Sequence, residues 1–128
     1  MPNITDVSSL RDLLSNQLGV VSEGQDSTGT IAAAATDQVI VKNNPARVAL
    51  SITNTHATAT MTLRPLLPAA AGNGIQISPG QTLSLKWFDD FERTQYEWHA
   101  ITDTINTTFY VQEQLIRRSH VTPTAAAT

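Results

Sequence analysis

The chain contains no cysteine, so neither a disulfide framework nor a thiolate metal site can hold it together. Its stability must come from packing, from association, or from both. Charge is also scarce: Asp, Glu, Lys and Arg make up 15% of the 128 residues, against roughly 25% in an ordinary soluble protein. The 11 acidic and 8 basic side chains leave a net charge of -3. That balance lacks the dense cationic face phosphate binding requires, and nucleic acid is not expected as a partner. No apolar run approaches a membrane span, so no membrane partner is expected. Near the start, Asn3, Thr5, Asp6, Ser8, Ser9, Arg11 and Asp12 interrupt the unbroken apolar stretch of a signal peptide. Export by the usual route is therefore not expected. What fills the chain instead is threonine, alanine and short alternating apolar segments.

The clearest of these segments runs from Asn44 to Asn54. Val48, Leu50 and Ile52 fall on one face and Arg47, Ala49, Ser51 and Thr53 on the other, the two-residue period of a half-buried strand. Ile75 and Ile77 alternate in the same way until Pro79-Gly80 forces a turn, after which alternation resumes from Thr82 to Trp87. This pattern describes either a hairpin or a sandwich corner. Further strands are predicted over Gln38 to Val41, Thr60 to Arg64, Tyr96 to Ile101 and Thr107 to Ile116. The last has Phe109, Val111, Glu113 and Leu115 on one face and Tyr110, Gln112, Gln114 and Ile116 on the other. Thr55 to Ala59 reads as a hairpin loop, and Phe88 to Arg93 as an acidic, aromatic loop. Strands recurring about every ten residues between Gly, Pro and Asn turns predict an all-β fold, an antiparallel β-sandwich or jelly-roll-like domain.

An appendage precedes this domain. Ile4, Val7, Leu10, Leu14 and Leu18 recur at helical spacing, Thr5 or Asp6 can cap the first turn, and Gly19 stands where a left-handed residue would end it. The stripe must cover some surface, either the chain's own β core or a neighbouring subunit. Ser22 to Ala35 reads as a linker followed by a weak strand or extended arm at Ile31 and the alanines. The predicted organisation is thus residues 1–37 as N-terminal helix and arm, 38–118 as β-sandwich, and 119–128 as a flexible tail.

The motifs of chemistry are missing. His56, His99 and His120 are isolated, with no metal-ligand spacing, and no metal or other cofactor is expected. His99 reads as a surface or edge residue beside a core Trp98, and His56 as a solvated loop residue. There is no Gly-x-Ser-x-Gly turn, and Ser51 and Ser84 lie inside strands. Asp89, Asp90 and Glu92 are acids of the kind a glycosidase pair uses, but adjacent carboxylates in one loop are more often simply solvated and no cleft is evident. No catalytic residue is assigned, and the chain is read as a non-enzyme. Arg47 is read as a scaffold brace, paired with Glu113 or with a carboxylate of the Asp89-Asp90 loop.

Taken together, the Asn-Pro-x-Arg start of the first segment, the Gly-Ile-x-Ile-x-Pro-Gly-Gln turn at Gly74 to Gln81, the Tyr-x-Trp-x-Ala-Ile strand at Tyr96 and the closing Phe-Tyr-Val-Gln-Glu at Phe109 resemble small tailed-bacteriophage virion proteins of the capsid decoration, cement or head-fibre type. The resemblance spans Gln38 to Gln114. It implies a β-sandwich that adds to the outside of an assembled shell as a homotrimer and bridges subunits of the major capsid protein. The location implied is the virion surface, with host cytoplasm during assembly. Ile4, Val7, Leu10, Leu14, Leu18 and Ile31 are then the expected subunit or capsid contacts, since an arm of this length can span roughly 45 Å. The alternatives are a tail, baseplate or head-spike component, or a carbohydrate-binding sandwich stacking glycan on Trp87, Phe91, Tyr96 and Trp98.

Overall fold

The computed structural model describes residues 19–118. Eight strands form two four-stranded antiparallel sheets: β1 (Val20–Ile31), β2 (Gln38–Val41), β3 (Arg47–Asn54), β4 (Met61–Pro65), β5 (Ile75–Ile77), β6 (Thr82–Lys86), β7 (Trp98–Thr102) and β8 (Thr107–Arg118). One sheet has the order β1-β8-β3-β6 and the other β2-β7-β4-β5. Only β4 and β5 are both consecutive and hydrogen-bonded, because every other connection crosses between the sheets. Two four-stranded sheets linked in this way are a jelly roll, which agrees with the expected sandwich.

The alternation of apolar residues builds the core. Leu50, Ile52, Leu85, Phe109 and Val111 from the first sheet meet Val41, Met61, Leu63, Ile77, Trp98 and Ala100 from the second. Each large side chain removed from water in this way stabilises the fold by about 1.5–3 kcal/mol. Val48 departs from its expected place on this face. The register between β3 and β8 shifts between Arg47 and Ala49, so a bulge at Val48 leaves it half-buried while the side chain of Arg47 is sealed inside. Pro79-Gly80 turns a corner between sheets, since β5 and β6 lie in different layers. The Thr55 to Ala59 segment is likewise a corner, not the expected hairpin.

The larger correction concerns Ser22 to Ala35. Instead of a linker leading to a weak strand or an arm, the segment through Ile31 is one long edge strand, paired residue for residue with β8 from Val20 opposite Arg118 to Ile31 opposite Thr107. The sandwich therefore begins at residue 20, not 38. Its hydrogen bonds come from the backbone, so the strand needs little apolar alternation, and small residues suit it. Gly29 is required where it stands: a Cβ there would lie 2.4 Å from Cζ of Phe109. Ile31 is 1% exposed and belongs to the chain's own core, so it is not available as a capsid or subunit contact. The alanines after it form the turn to β2, closed by Ala35 N–H donating to Thr102 O at 2.8 Å.

Phe88 to Arg93, expected as a loop after a strand ending at Trp87, lies instead in one short helical turn, α1 (Trp87–Asp90), continued by a 3-10 turn over Phe91–Thr94. It lies at the end of the sandwich where β3 begins and β1 enters. That end is called the base below.

Candidate functional site

Strand pairing sets which side chains face away from the core on the β1-β8-β3-β6 sheet. Ser22, Gly24, Asp26, Thr28 and Thr30 on β1 stand beside Ile116, Gln114, Gln112, Tyr110 and Thr108 on β8. Ala49, Ser51 and Thr53 on β3 stand beside Lys86, Ser84 and Thr82 on β6. Among these residues there is a single acid, Asp26, and a single base, Lys86, amid hydroxyls and amides. The polar groups of the face are tied to one another across strands: Tyr110 Oη donates to Asp26 Oδ2 at 2.7 Å, the Thr53 and Thr82 hydroxyls meet at 2.8 Å, and Gln114 donates to the Ser22 hydroxyl. The face is shallowly dished, with a concavity of about 450 Å³ bordered by Asp26, Ser51, Ser84, Lys86, Gln112 and Gln114. It is suited to lying against another protein, because covering it buries few charges and many groups able to pair.

At the base, Arg47 organises the chain. Its Nη1 donates to Thr94 O at 3.1 Å and Tyr96 O at 3.3 Å, and its Nη2 donates to Lys42 O at 2.6 Å. Its Nε lies 3.4 Å from Glu113 Oε2. One buried guanidinium thus joins the end of β2, the turn before β7 and the inward face of β8. Of the two pairings considered for Arg47, the structure brings Glu113 to it. Asp90 instead accepts the Lys86 backbone N–H at 2.9 Å, bracing the entry to α1.

The four aromatics proposed as a glycan platform do not form one. Trp98 is 1% exposed in the core, and its indole N–H donates to Arg93 O at 3.0 Å. Trp87 meets Phe91 edge to face with centroids 6.4 Å apart. Phe88, absent from that expected platform, projects into solvent with 91% exposure. The stripe Ile4, Val7, Leu10, Leu14 and Leu18, the tail over residues 119–128 and its histidine His120 lie outside the described residues.

His99 is not the surface residue expected. It is 8% exposed, with Nδ1 2.8 Å from Asp37 Oδ2 and Nε2 3.2 Å from Glu97 Oε1. Asp37 in turn accepts the Ala69 N–H at 2.7 Å, so the cluster ties the β4–β5 loop onto the outer side of the second sheet. Burial pulls the His99 pKa down, but hydrogen bonds and charge attraction from Asp37 and then Glu97 outweigh it, leaving the pKa above 6.5. Both folded and unfolded chains hold the proton well below pH 6.5, so this stabilisation is complete there and is lost as pH rises through the raised folded value. The melting temperature should therefore fall as pH increases from 6.5 upward. H99Q should flatten that slope in a series of thermal melts. His56 is structural as well. Its Nδ1 accepts the N–H groups of Thr58 at 3.1 Å and Ala59 at 3.0 Å at the β3–β4 corner. Among the described residues no group of three or more metal-ligating side chains is arranged to hold an ion, and both His99 nitrogens are occupied by carboxylates.

No protein-family model and no curated protein sequence matches the chain. Among solved structures, it is similar to a chain from Bacillus endospore appendages, described as a novel family of disulfide-linked pili. The identity is 14%, the alignment covers 78% of this chain and 88% of that one, and the TM-score is 0.49. A likeness at that level carries no functional argument.

Proposed function

We propose that the protein is a structural virion component that attaches to the outside of an assembled phage capsid as a trimer and stabilises it by bridging major capsid subunits. The observation that carries this reading is the outer face of the β1-β8-β3-β6 sheet, broad, polar and nearly without charge. The strand motifs that resemble decoration proteins support it, and so, by analogy of fold alone, does a jelly roll, an architecture common in viral shells. The mechanism is adhesive. Each copy contributes a modest contact, and linked contacts within a trimer reinforce one another through effective concentration.

The test is to mix purified protein with shells of its own virus assembled without it. The protein should co-sediment to a fixed copy number per shell and raise the shell's melting temperature. S51K with Q112K, and separately S51E with Q112E, should each weaken attachment at least about tenfold, since either sign would be buried unpaired on a neutral contact. Light scattering should give a trimer at micromolar concentration. Protein that stays in the supernatant, or that decorates only tails in labelled particles, would reject the reading.

A further inference from the structure

We infer that the outer edge of β1 pairs with the same edge of a second copy, antiparallel across a two-fold axis at Gln25, joining the β1-β8-β3-β6 sheets of the two copies into one. The first observation is a contrast among the four edges of the sandwich. β5 has three residues, β2 has four and shifts register between Val39 and Val41, and β6 has five and ends on Lys86. Short length, broken register and an edge lysine are devices by which proteins keep edges from pairing. β1 has none of them. It runs for 12 residues in unbroken register with β8, without proline, lysine or arginine. Among the described residues no strand pairs with its other side. Every residue from Ser22 to Thr28 is exposed, so both faces of this stretch stand in water as well as its edge.

The second observation is the chemistry along that edge. Its acids are compensated within the chain: Glu23 Oε2 lies 2.9 Å from Arg117 Nε, and Asp26 accepts from Tyr110 Oη. Two such edges can approach without bringing unpaired charge together. Directly opposite residues share a face in an antiparallel pair, and an axis at Gln25 sets Gly24 against Asp26, Glu23 against Ser27 and Ser22 against Thr28. Each acid then meets a small neutral residue, and the hydroxyl residues Ser22 and Thr28 become cross-strand neighbours. An axis at Asp26 or at Glu23 would oppose like carboxylates instead, and one at Gly24 would leave Gly29 to Ile31 without partners. The axis at Gln25 uses every residue from Val20 to Thr30, enough for roughly ten backbone hydrogen bonds, the number in an ordinary protein interface. The pair is closed, because it consumes both β1 edges. This pairing does not depend on the capsid reading. It sets two outer faces side by side, and because an edge pair closes on two copies it would join one proposed trimer to the next.

Because the chain has no cysteine, single cysteines report the register. In concentrated protein under mild oxidation, Q25C should form disulfide-linked dimers at least about tenfold faster than S22C, since only Gln25 faces its own copy and pairing raises the local thiol concentration. S22C and T28C, slow alone, should cross-link to each other when mixed. Equal rates for Q25C and S22C, or no gain on mixing S22C with T28C, would overturn the inference. The natural chain supplies a test free of substitutions. Alternate amides from Ser22 to Thr28 point away from β8, and these should exchange at least about tenfold more slowly in concentrated than in dilute protein. Fast exchange at both concentrations would mean an open edge and reject the pairing. Slow exchange at both, with no cross-linking of Q25C, would mean an edge covered within one chain and reject it equally.

Discussion

Replacing Arg47 with methionine should destabilise the protein by about 3–5 kcal/mol, the range for breaking a buried ion pair from one side. The side chain is sealed from solvent, so no water stands ready to replace it. Methionine fills most of the volume but removes the donors to Lys42 O, Thr94 O and Tyr96 O, and leaves the Glu113 carboxylate, 13% exposed, facing the core without its cation. Urea denaturation should show a lower midpoint with an unchanged slope. Two further variants separate charge from shape. R47K retains the charge but not the planar fork that reaches three carbonyls, and should recover only a minor part of the loss. R47M with E113L removes both charges and should be more stable than R47M alone, because the orphaned carboxylate disappears with its partner.

At the other end of the same strand, Asn54→Leu should cost about 3 kcal/mol, the sum of several buried groups left unpaired. Asn54 is fully buried. Its amide donates to Ala59 O at 2.7 Å and Ile77 O at 3.2 Å, and its Oδ1 accepts the His56 N–H at 3.1 Å. That one side chain fastens the β3–β4 corner and the end of β5 to the first sheet. Asn54→Asp is the sharper probe, since it keeps the shape and the acceptor but turns the donor into a carboxylate oxygen against two carbonyls. It should be at least as damaging at neutral pH and should partly recover as acid protonates the new carboxyl, which then has a proton to donate. The gain that His99 brings on acidification is common to both proteins, so the gap in melting temperature between the variant and the natural chain should narrow as pH falls, and a constant gap would count against this role for Asn54.

These two residues also mark how far the sequence can be read. The alternation from Arg47 to Asn54 identifies β3 without help, because both faces of a central strand meet consistent surroundings. The polar roles at its ends are harder to see. Glu113 is legible as a partner for Arg47, since it shares a face with Phe109, Val111 and Leu115, but the Asp89-Asp90 loop competes until register sets Leu115 opposite Arg47. The bulge at Val48 is invisible to a two-residue period, which assumes an unbroken strand. β1 escapes for a different reason. Its partner supplies backbone hydrogen bonds whatever its side chains are, so Ser-Glu-Gly-Gln-Asp-Ser reads as a linker while lying in a full ladder. A signal exists in Gly29 and Ile31, a small residue under an aromatic ring followed by a core residue, but only the position of Phe109 makes it readable. Of the outer face, the half on β8 is visible as Tyr110, Gln112 and Gln114 on alternate positions, and the half on β1 is not. His99 reads as exposed because its two carboxylates come from Asp37, distant in sequence, and from Glu97, on the approach to the strand.

The pairing of Val20 with Arg118 decides how the domain bears load. The first and last strands are antiparallel neighbours, and the chain enters and leaves them at the same end. A pull between those two points therefore acts on the ladder one rung at a time, peeling β1 from β8 like a zipper, whereas a pull along opposite ends of the strands would strain all the rungs together. Held by its entry and exit, the sandwich should open at low force from Val20 onward. Held by the flat of its sheet, it should resist.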